Sequence, residues 1–152
     1  MKTVTVSSYY EYDPEDFWRL IQKPSTLNFI TQGFVSFDWL DPLSEDWIEG
    51  VVYRVRFKIF GIIPMGGIHS LKIEKIDHID KILRSQESND LIQIWNHDLI
   101  VQKENDLTKY TDRIDIEAGF LTSFVCIFAK CFYRHRQRRW SLLIDKSTYN
   151  PT

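Results

Sequence analysis

The polar and apolar positions of the chain follow two different periods. Residues 3–10 alternate and predict a strand. Asp13-Pro14-Glu15-Asp16 then supplies an N-cap side chain, a proline at the first helical position and early acids, which together predict a helix start. That helix carries Phe17, Trp18, Leu20 and Ile21 and stops before Pro24, where Pro24-Ser25-Thr26 opens a second short helix that ends at Gly33. The period then becomes two. Val35, Phe37 and Trp39 mark one face of a strand, and Asp41-Pro42 turns it. In the next strand Val51, Tyr53, Val55 and Phe57 share a face, with Arg54, Arg56 and Lys58 opposite. Residues 61–67 read as a turn region, followed by strands near 68–77, 81–88, 91–102 and 107–117. Ser88-Asn89-Asp90 and Glu104-Asn105-Asp106 suit hairpin turns.

The last segment is helical. From Leu121 to Leu143 there is neither glycine nor proline, enough for a helix of roughly 35 Å. Leu121, Phe124, Val125, Phe128, Phe132, Leu142 and Leu143 fall within one stripe, with His135 and Arg139 on it. The expected architecture is α+β. A curved antiparallel sheet of seven strands wraps around one long C-terminal helix, with two short helices between strands 1 and 2. Residues 1–152 form one domain without repeats or linkers.

Composition narrows the function classes. A chain of 152 residues buries roughly 68–70% of its unfolded surface. An aromatic share of 14% brings much buried area per residue. A net charge of −2 gives no global attraction to nucleic acid or anionic membranes. The basic run Arg134-His135-Arg136-Gln137-Arg138-Arg139 spreads around the helix, so it reads as a solvated face suited to the C-terminal end of the dipole. No continuous apolar run follows Met1, and the stretch Phe120–Ala129, broken by Thr122 and Ser123, is about half a membrane span. Cys126 and Cys131 lie about 140° apart on the helix, too divergent for a disulfide or a shared metal, and a reduced cytoplasmic setting is expected. No metal-ligand spacing, nucleophile elbow or dinucleotide fingerprint occurs, so neither metal nor cofactor is expected.

Several short segments carry a family resemblance: Phe60-Gly61-Ile62-Ile63-Pro64, Trp95-Asn96-His97, Tyr110-Thr111-Asp112, Ala118-Gly119-Phe120-Leu121 and Phe132-Tyr133-Arg134-His135-Arg136. In this order they resemble the SRPBCC superfamily of START, Bet v 1-like and polyketide cyclase/dehydrase-like proteins, above all its bacterial ligand-binding members. The resemblance covers nearly the whole chain and implies a helix-grip fold. Because such families include lipid and hormone binders, quinone-binding proteins and polyketide cyclases, it also implies an apolar small molecule held in a cavity between sheet and helix. Alternatives are a cyclase or dehydratase, and a module that contacts membrane or protein transiently, acting as monomer or homodimer.

Candidate site residues follow from the strand pairing. A four-residue loop over Lys103–Asp106 would set His97 opposite Asp112, Trp95 opposite Ile114 and Leu99 opposite Tyr110, all on the concave face. His97 then becomes either a general base or hydrogen-bond donor oriented by Asp112, or half of a mutually satisfied buried pair. Tyr53, Phe57, Phe124 and Phe128 would line the same space, and bulky Trp39, Tyr53, Trp95 and Phe128 could nearly plug it. Glu87, Gln93 and His69 have facings that depend on turn register. His135 and Arg139 would reach in from the helix. Arg139 either meets a ligand carboxylate or snorkels to the rim. Gly61, Ile62, Ile63, Pro64, Met65 and Gly66 form an apolar connection suited to a gate, a contact patch or a folded-back hairpin tip.

Overall fold

The computed structural model describes residues 1–148. Its elements are β1 (Lys2–Tyr10), α1 (Pro14–Ile21), α2 (Pro24–Thr31), β2 (Val35–Trp39), β3 (Val52–Ile59), β4 (Ile63–Pro64), β5 (His69–Asp77), β6 (Ile82–Ser88), β7 (Ile94–Glu104), β8 (Leu107–Glu117), a 3-10 turn (Gly119–Leu121) and α3 (Thr122–Thr148). The sheet is antiparallel and runs β1-β8-β7-β6-β5-β3-β2, a curled half-barrel of seven strands to which the two-residue β4 adds beside β3. The helix-grip architecture predicted from the sequence is the one observed.

Local chemistry explains the short helices. Asp13 Oδ1 accepts hydrogen bonds from the backbone N–H of Glu15 (2.9 Å) and Asp16 (3.1 Å), so the expected N-cap forms. Helix α1 buries Phe17, Trp18 and Ile21, and α2 buries Ile30. A register shift between Ile73 and Lys75 of β5 bends the sheet, as a bulged residue does.

Two expectations are corrected here. The β7–β8 connection is a tight turn in which Asn105 and Asp106 both have positive φ (50° and 63°), in place of a four-residue loop. His97 therefore pairs with Ile114, Leu99 with Asp112 and Val101 with Tyr110. The slip is two residues, so parity survives and the same side chains face inward. Second, α3 buries a rotated stripe that shares Phe132 with the expected one: Ala129, Phe132, Tyr133, Arg136, Gln137, Trp140 and Ile144. Phe124 and Leu142 are exposed. Arg136, expected on a solvated face, is 4% exposed.

Candidate functional site

The half-barrel and α3 do not close completely on each other. Between them, capped by α2, lies a pocket of about 340 Å³. Its walls are mainly apolar: Ile30, Phe37, Phe57, Leu71, Ile73 and Phe132 are representative. Of the residues expected to line it, Phe57, Trp95, His97, Leu99, Phe124 and Phe128 are on its wall, joined by Met65 from the loop expected to act as a gate. His69 and Glu87, whose facing the sequence left open, also line it. Trp39 is not on the pocket wall; it packs against Phe37 and Trp47 and donates from Nε1 to Asn28 Oδ1 (3.1 Å).

Other expectations change. Tyr110, Asp112 and Ile114 face inward, but they are wholly buried under α3 and stand behind the wall. Tyr53 packs its ring edge-on to Trp47 in the core. His135 and Arg139 do not reach the pocket; they fasten α3 to α2. His135 Nε2 is 2.8 Å from the Gln32 carbonyl. Arg139 donates from Nε to the Phe29 carbonyl (2.9 Å), and its guanidinium sits 4.7 Å above the Phe29 ring. The sequence missed Tyr133, Arg136 and Trp140, which line the pocket from α3. Their i, i+3 and i+7 spacing was the available signal, hidden because one member is an arginine.

The polar end of the pocket is built on Asp112. Its Oδ1 accepts from the Tyr110 hydroxyl (2.6 Å) and pairs with His97 Nε2 (2.8 Å). Its Oδ2 accepts from Gln137 Nε2 (2.9 Å). The His97 contact is diagonal across β7 and β8, which is why it survives the altered register. A carboxylate only accepts, so Nε2 of His97 carries the proton, and Nδ1 lies 3.5 Å from the Tyr133 hydroxyl. That hydroxyl accepts from Trp95 Nε1 at 3.0 Å.

Burial pushes the Asp112 carboxyl up. The nearby Arg136 charge and the bonds from His97 and Tyr110 outweigh it and hold the group below the ordinary carboxylate value. A second pair repeats the logic: His69 Nε2 meets Glu87 Oε2 (2.8 Å), and Ser85 donates to Glu87 Oε1 (2.7 Å). Burial raises Glu87, yet the His69 bond and the charges of His69 and His97 leave it lowered. Burial, then the Asp112 charge, drives the Tyr110 hydroxyl well above its usual value. Tyr133 also rises well above its usual value, chiefly through burial. Among the described residues no three His, Cys, Asp or Glu side chains gather as a metal site.

The more exposed part of the lining includes Phe124, which is exposed, and the half-buried Met65, Val125 and Phe128. Phe60 and Ile62, at the tip of the β3–β4 hairpin, are 60% and 77% exposed. The base of this loop is anchored. Gly66 has φ +62°, and a Cβ there would stand 2.8 Å from the Asn89 side chain, which in turn contacts His69 Nδ1 at 3.3 Å. Gly66→Ala is expected to cost about 1–2 kcal/mol from the left-handed backbone alone. It should also push Asn89 away from His69. A urea titration reads the first effect, and histidine side-chain NMR shifts read the second.

Comparison with known proteins places this geometry. Residues 12–142 match the family described as a domain of unknown function (DUF8410). The chain belongs to that family. No curated protein matches it. Among solved structures, this DUF8410 chain is similar to protein CV1439 of Chromobacterium violaceum (13% identity, 94% of this chain and 97% of that one, TM-score 0.68). It is also similar to the major latex-like protein 151 of Panax ginseng (19% identity, 91% and 93% coverage, TM-score 0.66). A third similar structure is Ara h 8.0201 (12% identity, 92% and 98% coverage, TM-score 0.61). At these identities the likeness shows the fold, which is the Bet v 1-like helix-grip fold of SRPBCC proteins. Among the described residues of the DUF8410 chain no helix is long and apolar enough to cross a membrane.

Proposed function

We propose that this DUF8410 chain binds an apolar small molecule, a lipid, quinone or polyketide-like compound, in the pocket between sheet and α3. The observation that supports this reading is the pocket itself. Its volume of about 340 Å³ lies at the lower end of the roughly 300–1,000 Å³ typical of ligand sites, and its walls are apolar with a few convergent polar groups. In this reading loop 60–67 forms the rim, with Met65 on the lining. Native mass spectrometry of the purified protein tests it. The expected result is one stoichiometric adduct, either co-purified or acquired from a lipid and quinone panel. A clean apo mass after the whole panel would reject it.

A second reading is favoured by one contact, the 2.8 Å His97–Asp112 bond with His97 on the pocket wall. In that reading His97 moves a proton through Nδ1 in a cyclase or dehydratase reaction. Turnover that His97→Gln abolishes while binding persists is the expected result. Equal turnover in the variant would reject the role.

A further inference from the structure

Arg136 has charge partners, but among the described residues its buried Nε has no hydrogen-bond partner. Its side chain is 4% exposed and lines the pocket. Its closest carboxylate oxygen, Asp112 Oδ1, lies 4.0 Å from a terminal nitrogen, which is beyond hydrogen-bond reach. The rings of Tyr133 and Phe132 lie 4.8 and 5.7 Å from the guanidinium and offer only their faces.

The neighbouring carboxylates are held by other donors. Asp112 receives Tyr110 and His97 on one oxygen and Gln137 on the other. Glu87 is held by His69 and Ser85. One turn along the same face, Trp140 also lines the pocket, and its Nε1 likewise has no partner among the described residues. Arginine and tryptophan side chains only donate. The two together leave unpaired buried donors on the α3 side of the pocket, a state that costs free energy while it lasts.

We propose that Arg136 recognises an acceptor oxygen, a carboxylate or a ketone, at the polar end of an otherwise apolar ligand. The inference rests on the pocket-binding reading above and adds the ligand's head group to it. An ammonium group is refused there, because it would meet the guanidinium as a like charge and bring more donors. Carboxylate and ketone share the acceptor chemistry. They differ in how the ligand's charge sums with Glu87, Asp112, His69 and His97 around the site.

Equilibrium dialysis of the whole protein against decanoate, decan-2-one, dec-1-ene and decylammonium separates the possibilities. Decanoate or decan-2-one should bind about tenfold or more tighter than dec-1-ene, as expected for a hydrogen bond from a charged donor. Arg136→Met should erase that advantage and leave dec-1-ene unchanged. A second readout needs no variant fold. In the wild-type protein the Arg136 Nε–H signal should shift on adding the preferred oxygen-bearing probe, and stay in place with dec-1-ene. Dec-1-ene binding as tightly as both oxygen-bearing probes, or an Nε–H signal that ignores them, would overturn this inference and leave the pocket reading standing. Absence of binding by all four probes, together with a clean apo mass, would remove both.

Discussion

Asp112→Ala is expected to destabilise the protein by about 3–5 kcal/mol, because it leaves a buried charge without compensation. Asp112 is wholly buried, and Tyr110, His97 and Gln137 all direct polar atoms at it. Its removal strands three donors and the positive charge of Arg136 at once. Asp112→Leu combined with Arg136→Met should cost much less than the sum of the single changes, since the pair leaves together. Urea unfolding of the four proteins measures the coupling. Strict additivity would show that the 4.0 Å contact carries no energy.

The same carboxylate sets an acid limit. Asp112 and Glu87 are both lowered in the folded protein, so the folded state binds fewer protons than the unfolded one. Their stabilisation is fully present above the unfolded carboxylate range of about 4, and it is lost as pH falls through the lower folded values. Stability should therefore hold from neutral pH to about 5 and fall below about 4. Asp112→Asn should flatten that fall. An unchanged slope in the variant would assign the acid limit to other groups.

What the sequence disclosed depended on the length of the pattern that carried it. Alternation in β3 and the Asp13-Pro14 start of α1 are local signals, and both elements form where predicted. The β7–β8 register is fixed by the φ > 0 capacity of Asn105 and Asp106, and a two-residue turn was legible in that dipeptide. The His97–Asp112 contact was reached through the wrong opposite pairs. It is correct because a slip of two preserves the face and brings diagonal neighbours together.

Helix α3 resisted reading for a different reason. Its buried stripe contains Arg136 and Gln137, polar residues whose burial is set by Asp112 on a strand 24 or more residues earlier in the chain. An apolar count therefore rotates the helix toward Phe124 and Phe128, by roughly 100°, the angle of one residue. His135 and Arg139 were drawn into the site by that same rotation; they bond α2 instead.

The orientation of α3 yields the sharpest contrast between two aromatic residues on one helix. Trp140→Ala is expected to cost about 3–5 kcal/mol, the range for truncating a large buried aromatic side chain. Trp140 is 1% exposed, stacks on Phe17 at 4.2 Å between ring centroids, and meets Tyr110 edge-on at 5.6 Å. Phe17 is itself wholly buried on α1, so the lost ring also loosens the contact between α1 and α3. Phe124→Ala should stay within about 0.5 kcal/mol, because its ring is 72% exposed. Positions 124 and 140 lie roughly 160° apart around the axis, so no rotation of the helix buries both. Thermal and urea unfolding of the two variants decides the matter. A costly Phe124→Ala beside a neutral Trp140→Ala would mean that α3 presents its other face to the sheet. Arg136 would then move off the pocket wall with it, and the acceptor site would lose its donor.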